Sequence, residues 1–256
     1  MDIFIGGTLS EYLPRKVLEY SLKINSMSKH NIIHLDDVVD YKRVREYASE
    51  QCTPFSFQRF FIPELCSYKG IALYLDSDML FFNDVEKLFD YATTNKSIIT
   101  ANTKTAYTSV MLIDCASTKW IIEDVLEEMF SQNHKMNIDK YISNISCEII
   151  NDKWNSLDFY KEGLTCNVHF TNMIRQPWLS GRHDLLPLWM SVLFSAIESN
   201  FIDFKTIDNE IKLGHVRPSI KYQCTNKIKN YGKVPLWIKA RDFFFIPPFF
   251  KNRIEM

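Results

Sequence analysis

The chain has 256 residues, a formal net charge of -1 and 24% charged residues. That near-neutral balance lacks the basic excess of a dedicated nucleic-acid binder, so no nucleic-acid partner is expected. With 46% hydrophobic residues, the chain can bury the core of one large domain. Its six cysteines, Cys52, Cys66, Cys115, Cys147, Cys166 and Cys224, include no CxxC pair, which disfavours a zinc site or disulfide framework and fits a reducing compartment.

The opening Met1-Asp2-Ile3-Phe4-Ile5 is too short and too acidic for a signal peptide, and no apolar run approaches the roughly 20 residues of a membrane span. A cytoplasmic location is expected. Ile3-Phe4-Ile5 reads as a strand closed by Gly6-Gly7. Leu13, Val17, Tyr20 and Ile24 recur at helical spacing behind Pro14. Ile32 to Leu35 is a second strand, Phe60 to Leu65 looks helical, and Ile71 to Leu75 is a buried strand that stops at acids. Asp84 is placed to cap a short helix bearing Val85, Leu88 and Phe89. Ile98-Ile99 and Val110 to Ile113 are further strands. Ser117 is expected to cap the helix of Trp120, Ile121, Val125, Met129 and Phe130, and Asp184 the helix of Leu188, Val192 and Ile197. Strands alternating with helices predict an α/β fold with a mostly parallel sheet, and ligands beyond the carboxyl ends of its strands. No linker interrupts the chain before about residue 216, so a main domain is expected over residues 1–215.

The sharpest local feature is Leu73-Tyr74-Leu75-Asp76-Ser77-Asp78. An apolar strand delivers two carboxylates two residues apart, and on extended backbone both face one side. Hard oxygen ligands suit Mg²⁺ or Mn²⁺, which neutralise a diphosphate. An ordinary acidic turn is the other reading of that segment alone. Much later comes His169-Phe170-Thr171-Asn172-Met173-Ile174-Arg175-Gln176-Pro177-Trp178. A neutral imidazole there can complete the carboxylate site and tilts the choice toward Mn²⁺, while Arg175 can meet phosphate oxygens. By itself the segment also reads as a core histidine beside a packing corner.

Taken together, the two segments resemble the GT-A-fold glycosyltransferases, and within them the family 8-like group. The likeness runs from Ile3-Phe4-Ile5-Gly6 through Phe57-Gln58-Arg59-Phe60-Phe61-Ile62-Pro63-Glu64-Leu65 and Leu75-Asp76-Ser77-Asp78-Met79 to Val110-Met111-Leu112-Ile113. It continues with Trp154-Asn155-Ser156-Leu157 and the His169 to Trp178 segment, ending near residue 200. The resemblance implies a Rossmann-like sheet flanked by helices, and a glycosyltransferase using a nucleotide-sugar donor, UDP-linked, with Mn²⁺ or Mg²⁺. It implies that Asp76, Asp78 and His169 hold the metal and that Arg59 approaches the donor sugar. The alternative for Arg59 is a partner in Glu64 or at the surface. Gly6, Gly7 and Thr8, with Ser77, fall where the family binds the nucleotide, and Arg175 takes the phosphate-contacting role. The closing motif departs from the family's His-x-x-Gly-x-x-Lys-Pro-Trp: Asn172 replaces the glycine, one residue is added, and Gln-Pro-Trp ends it. Tyr107-Thr108-Ser109 stands where the family has Asn-Ala-Gly.

Retention of anomeric configuration, by front-face attack without a protein nucleophile, is what the resemblance favours. Asp139, Glu148 and Asp158 are candidate bases, each also readable as a surface acid, and Trp154-Asn155 can line an acceptor cleft or pack in the core. From 216 to 256 the chain turns basic and aromatic, with Lys221, Lys227, Lys229, Lys233, Lys239, Arg241, Lys251 and Arg253 interleaved with Trp237, Phe243-Phe244-Phe245 and Phe249-Phe250. Such a C-terminal extension suits an anionic membrane surface and a glycan or glycolipid acceptor there. Two rival readings are a sugar-nucleotidyltransferase, whose basic glycine-rich loop is poorly matched by Gly6-Gly7-Thr8 and Glu11, and an inactive binding module.

Overall fold

The computed structural model describes residues 2–44, 54–93, 97–101, 107–130, 138–143 and 147–248. The strands in chain order are β1 (Asp2–Gly6), β2 (Asn31–His34), β3 (Ile71–Asp76), β4 (Met79–Phe81), β5 (Ile98–Ala101), β6 (Val110–Asp114), β7 (Cys147–Ile150), β8 (Ser156–Leu157) and β9 (Asn167–His169). The helices are α1 (Tyr12–Asn25), α2 (Leu35–Val38), α3 (Ile62–Leu65), α4 (Glu86–Phe89), α5 (Cys115–Thr118), α6 (Ile122–Phe130), α7 (Ile138–Ser143), α8 (Leu186–Glu198), α9 (Phe204–Leu213), α10 (Ser219–Thr225) and α11 (Leu236–Phe243).

Six strands form one sheet in the order β2-β1-β3-β6-β5-β7. The β1–β2, β1–β3 and β5–β7 pairs are parallel, and β6 alone runs against its neighbours β3 and β5. Period-two alternation explains why the sheet is covered on both faces. Phe4, Ala72 and Tyr74 pack with Phe57, Phe60 and Trp120 on one side. Ile3, Ile5, Leu73 and Leu75 pack with Leu18, Leu22 and Trp154 on the other. A second, three-stranded sheet, β4-β9-β8, stands beside the first. A third apolar cluster joins Leu13 and Val17 of α1 to Leu80, Phe170, Trp178, Trp189, Ile207, Val216 and Ile220.

Two helix starts differ from the pattern in the sequence. Ser117 does not cap the helix that follows it. Asp114 caps α5, taking the Ala116 and Ser117 amides, and Lys119 at φ +46° breaks the chain before α6. Asp184 does not cap α8 either: its N-cap is Leu185, whose amide donates to the His183 imidazole. Ile24, predicted on the inner face of α1, is half exposed. No described helix is long and apolar enough to cross a membrane. Among the described residues Cys66, Cys115, Cys166 and Cys224 are free thiols, while Cys52 lies outside them.

The C-terminal helices are tied to the centre through one buried cation. Arg217 is fully buried, donates from Nε to the Pro177 carbonyl, and lies 3.8 Å from Asp242 of α11. Asp242 also accepts from the Ser219 amide and the Tyr231 hydroxyl, both at 2.8 Å. Burial pushes the Arg217 pKa down to about 10, and the Asp242 charge acts against it.

Candidate functional site

The carboxyl ends of β1 and β3 meet one edge of the small sheet, and the candidate residues gather there. β3 ends at Asp76, so the two acids do not share one extended strand as their spacing predicts. The chain bends at Ser77-Asp78 before entering β4. Antiparallel pairing then sets the third group: Met79 faces His169 across β4–β9, and the Phe170 amide donates to the Asp78 carbonyl at 2.9 Å. Asp76, Asp78 and His169 each point one ligand atom into a space where those atoms lie within 4.8 Å of one another.

The tautomer of His169 follows from its other partner. Asn155, fully buried, accepts from Nδ1 at 3.0 Å, which leaves Nε2 with its lone pair inward. Nε2 sits 3.1 Å from Asp78 Oδ1. The spacing suits a proton held between the pair and equally a shared cation, since an octahedral Mg²⁺ site with ~2.1 Å bonds has ligand–ligand edges of about 3 Å. Burial acts to lower the His169 pKa, but the charge of Asp78 and its hydrogen bond to the imidazole, with the charges of Asp76 and Asp158, outweigh it and the value is raised.

The two carboxylates are held differently. Asp76, 8% exposed, accepts at Oδ1 from the Tyr74 hydroxyl at 2.5 Å and from Arg59 Nη2 at 3.3 Å. Arg59 is buried as well, lies over the Tyr74 ring, and donates from Nη1 to Thr108 O (2.6 Å) and Oγ1 (3.0 Å). Glu64 takes Arg43 as partner instead, so the alternative pairing of Arg59 is excluded. Thr108 passes the network on to Asp139, 2.7 Å away. Asp78 instead accepts from the amide of Gln176 at Oδ2 (3.0 Å).

The first loop is clamped from beneath. Gly7 exchanges two 2.9 Å hydrogen bonds with the Gln58 amide, N–H to Oε1 and Nε2–H to the carbonyl. A Cβ on Gly6 would fall 2.4 Å from the Tyr74 hydroxyl, and one on Gly7 2.9 Å from Ser77 Oγ, so a side chain at either position would displace a neighbour that lines the site. Glu11 closes a capping box with Thr8, accepting its amide at 2.8 Å. Burial and then the Asp78 charge push the Glu11 carboxyl up to about 7, against the pull of the Thr8 and Ser77 groups. Ser77 is buried between Gly7 and this carboxyl. Arg175 is exposed.

Asp158 is no free surface acid. It accepts from Thr171 Oγ1 (2.6 Å) and His183 Nε2 (3.0 Å), and its amide donates to the His169 carbonyl. Its φ of +49° is strained for a non-glycine residue. Burial raises its pKa, yet the His183 and Thr171 hydrogen bonds prevail and the value is lowered. Trp154 is buried in the core rather than lining a cleft. Of the braces, Gln58 and Tyr74 carry no pattern of their own that sequence reasoning singles out, though Tyr74 shares the face of Asp76 at i−2. Asn155 and Gln176 lie in segments it does single out, the first as a cleft residue and the second in the Gln-Pro-Trp ending, but not in these roles.

No known protein-family profile matches the chain. It is similar to Protein CDI of Arabidopsis thaliana, 32% identical over 96 residues, which are 34% of this chain and 35% of that protein. The chain therefore matches about a third of that relative's length. The fold is shared with solved GT-A-type glycosyltransferases. The galactosyltransferase LgtC, solved with donor and acceptor sugar analogues, superposes with a TM-score of 0.56 at 13% identity, covering 70% of this chain and 89% of that one. GlyE of Streptococcus pneumoniae TIGR4 gives 0.57 at 17% identity, covering 84% and 63%. The bifunctional WbbM gives 0.59 at 11%, covering 80% and 51%.

Proposed function

We propose that this chain is a hexosyltransferase-type glycosyltransferase that moves a sugar from a nucleotide-sugar donor, by motif resemblance a UDP-sugar of a family 8-like enzyme, to a glycan or glycolipid acceptor. The observation that carries the reading is the convergence of Asp76, Asp78 and His169 Nε2 at the strand ends, in a fold shared with glycosyltransferases. Asp76, Asp78 and His169 would hold a divalent ion, Mn²⁺ in preference to Mg²⁺ because of the nitrogen ligand. Bound there, the ion supplies Lewis-acid stabilisation of the departing diphosphate.

The chain's own groups do the rest. Asn155 selects the neutral tautomer of His169 whose Nε2 lone pair faces the site. Arg59, locked between Asp76 and Thr108, offers a fixed guanidinium face to the donor sugar. The Gly6-Gly7-Thr8 loop and Ser77 receive the nucleotide, and the glycines let its backbone approach closely. Arg175, whose side chain has no protein partner among the described residues, turns to the diphosphate. Motif resemblance favours retention. Among the described residues Asp139 is engaged by Thr108 and Asp158 by Thr171 and His183, which supports front-face attack over a covalent intermediate, with orientation of the acceptor hydroxyl as the main chemical task.

The acceptor side includes an anionic membrane at its cytoplasmic face, met by the C-terminal extension, residues 216–256. Leu236, Trp237, Phe243 and Phe244 are largely exposed, and a hollow of about 410 Å³ between α9, α10 and α11 is lined by Trp237, Tyr222, Lys221 and Arg241. Apolar rings beside cations fit headgroups and the acyl boundary. Phe249, Phe250, Lys251 and Arg253 lie outside the described residues. Full-length protein should co-sediment with anionic vesicles at low salt; a failure to do so removes this part of the reading.

The deciding experiment is nucleotide release from a panel of UDP-, GDP- and dTDP-sugars, with Mn²⁺ and with EDTA. Release from one donor, lost with EDTA and in Asp78→Ala, supports the reading. Pyrophosphate release from a nucleoside triphosphate and a sugar phosphate would point to a nucleotidyltransferase. Mn²⁺-dependent nucleotide binding without turnover would point to an inactive module.

A further inference from the structure

Gln176 is the one described side chain that reaches from the Gln-Pro-Trp turn to the candidate metal site. It is 6% exposed, and its Nε2 donates twice, to Asp78 Oδ2 and to the Phe170 carbonyl, each at 3.0 Å. An amide nitrogen has two protons, so both are committed and the nitrogen is fixed in place. The turn is fixed in its own right: the Arg217 amide donates to the Trp178 carbonyl at 2.9 Å, and the Arg217 side chain to the Pro177 carbonyl. The consequence falls on Asp78. With Oδ2 engaged, its carboxylate cannot rotate freely, and Oδ1 is turned toward His169 Nε2, 3.1 Å away.

An amide can orient a carboxylate through directional hydrogen bonds. We propose that Gln176 is the positioning residue for Asp78, holding Oδ2 so that Oδ1 is aimed at the cation. This rests on the reading of Asp76, Asp78 and His169 as a cation site.

The test is Mn²⁺ binding to the purified full chain without nucleotide, followed by calorimetry or by the loss of free Mn²⁺ signal in electron paramagnetic resonance. Gln176→Ala should weaken binding about 10-fold, the low end of what outer hydrogen bonds to metal ligands contribute. Thermal melts of the metal-free Gln176→Ala variant separate this from a packing role. If Gln176 served only Phe170 and the turn, the variant would melt lower while native-like Mn²⁺ affinity remained, and the inference would be overturned. If the native chain bound no Mn²⁺ at all, the metal-site reading itself would fall, an outcome distinct from that one.

Discussion

Asp76 and Asp78 are two residues apart and chemically identical, yet the protein treats them in opposite ways. Asp76 is buried against a cation and a phenol, whereas Asp78 is held by a neutral amide at Oδ2 and faces His169 with Oδ1. A carboxylate paired with a buried guanidinium belongs to the fold as well as to the site. One oriented by an amide keeps its charge for whatever binds. The difference teaches that two acids of one motif can be held on different terms, Asp76 in a buried charge network and Asp78 by an amide beside an imidazole.

Removing each acid in turn would break the comparison most directly. Asp78→Ala should lower sugar transfer by about a thousandfold and abolish Mn²⁺ binding, while its metal-free melting temperature stays near the native value. Asp76→Ala should lose activity as fully and also cost about 3 kcal/mol of stability, because Arg59 is left as an uncompensated buried charge. Equal stability of the two variants in urea unfolding would remove the distinction. Arg59→Lys comes next, with an expected loss of about a hundredfold in kcat/KM, since a lysine cannot reproduce the forked contacts to Asp76 and Thr108.

On the Asp78 side, Asn155→Leu removes the acceptor that fixes the His169 tautomer and should weaken Mn²⁺ about 10-fold. Proton and metal compete for Nε2. Because the His169 pKa is raised above 6.5, Mn²⁺ affinity should fall as pH is lowered through that raised value and recover above it. Calorimetry across pH reads this directly. The smallest effect concerns Glu11. Its pKa rises from 4.5 to about 7 on folding, so ionisation opposes the folded state, and stability should decline as pH climbs through that interval. Glu11→Gln should flatten this slope in thermal melts of the metal-free protein.

Much of the framework could be read from periodicity. Ile3 to Ile5 and Ile71 to Leu75 are strands buried on both faces, and their uninterrupted apolar runs say so. Leu13, Val17 and Tyr20 mark α1 by spacing, though Ile24 escapes the core. Helix starts were harder to read, because the groups at the α5 and α8 boundaries are Asp114 and an imidazole rather than the nearest serine or aspartate. Within the site, Asp76, Asp78 and His169 stood out because charged groups beside apolar strands need a reason. The bracing roles of Gln58, Asn155 and Gln176 did not, since an amide reaches its partner only through tertiary contact and leaves no spacing behind. The strained backbone of Asp158 is equally silent in sequence.

The Arg217–Asp242 contact carries a practical consequence for anyone trimming this protein. Deleting the segment from Leu236 onward would remove Asp242 and strand a guanidinium in the apolar cluster that also holds Trp178 and Leu13. The loss would be felt at the Pro177 carbonyl that Arg217 grips, one peptide away from Gln176. A shortened protein meant only to shed its greasy, basic end would therefore arrive with a loosened Gln-Pro-Trp turn. Substituting the exposed rings at 237, 243 and 244 spares that keystone, and is the cleaner way to ask what the C-terminal face does.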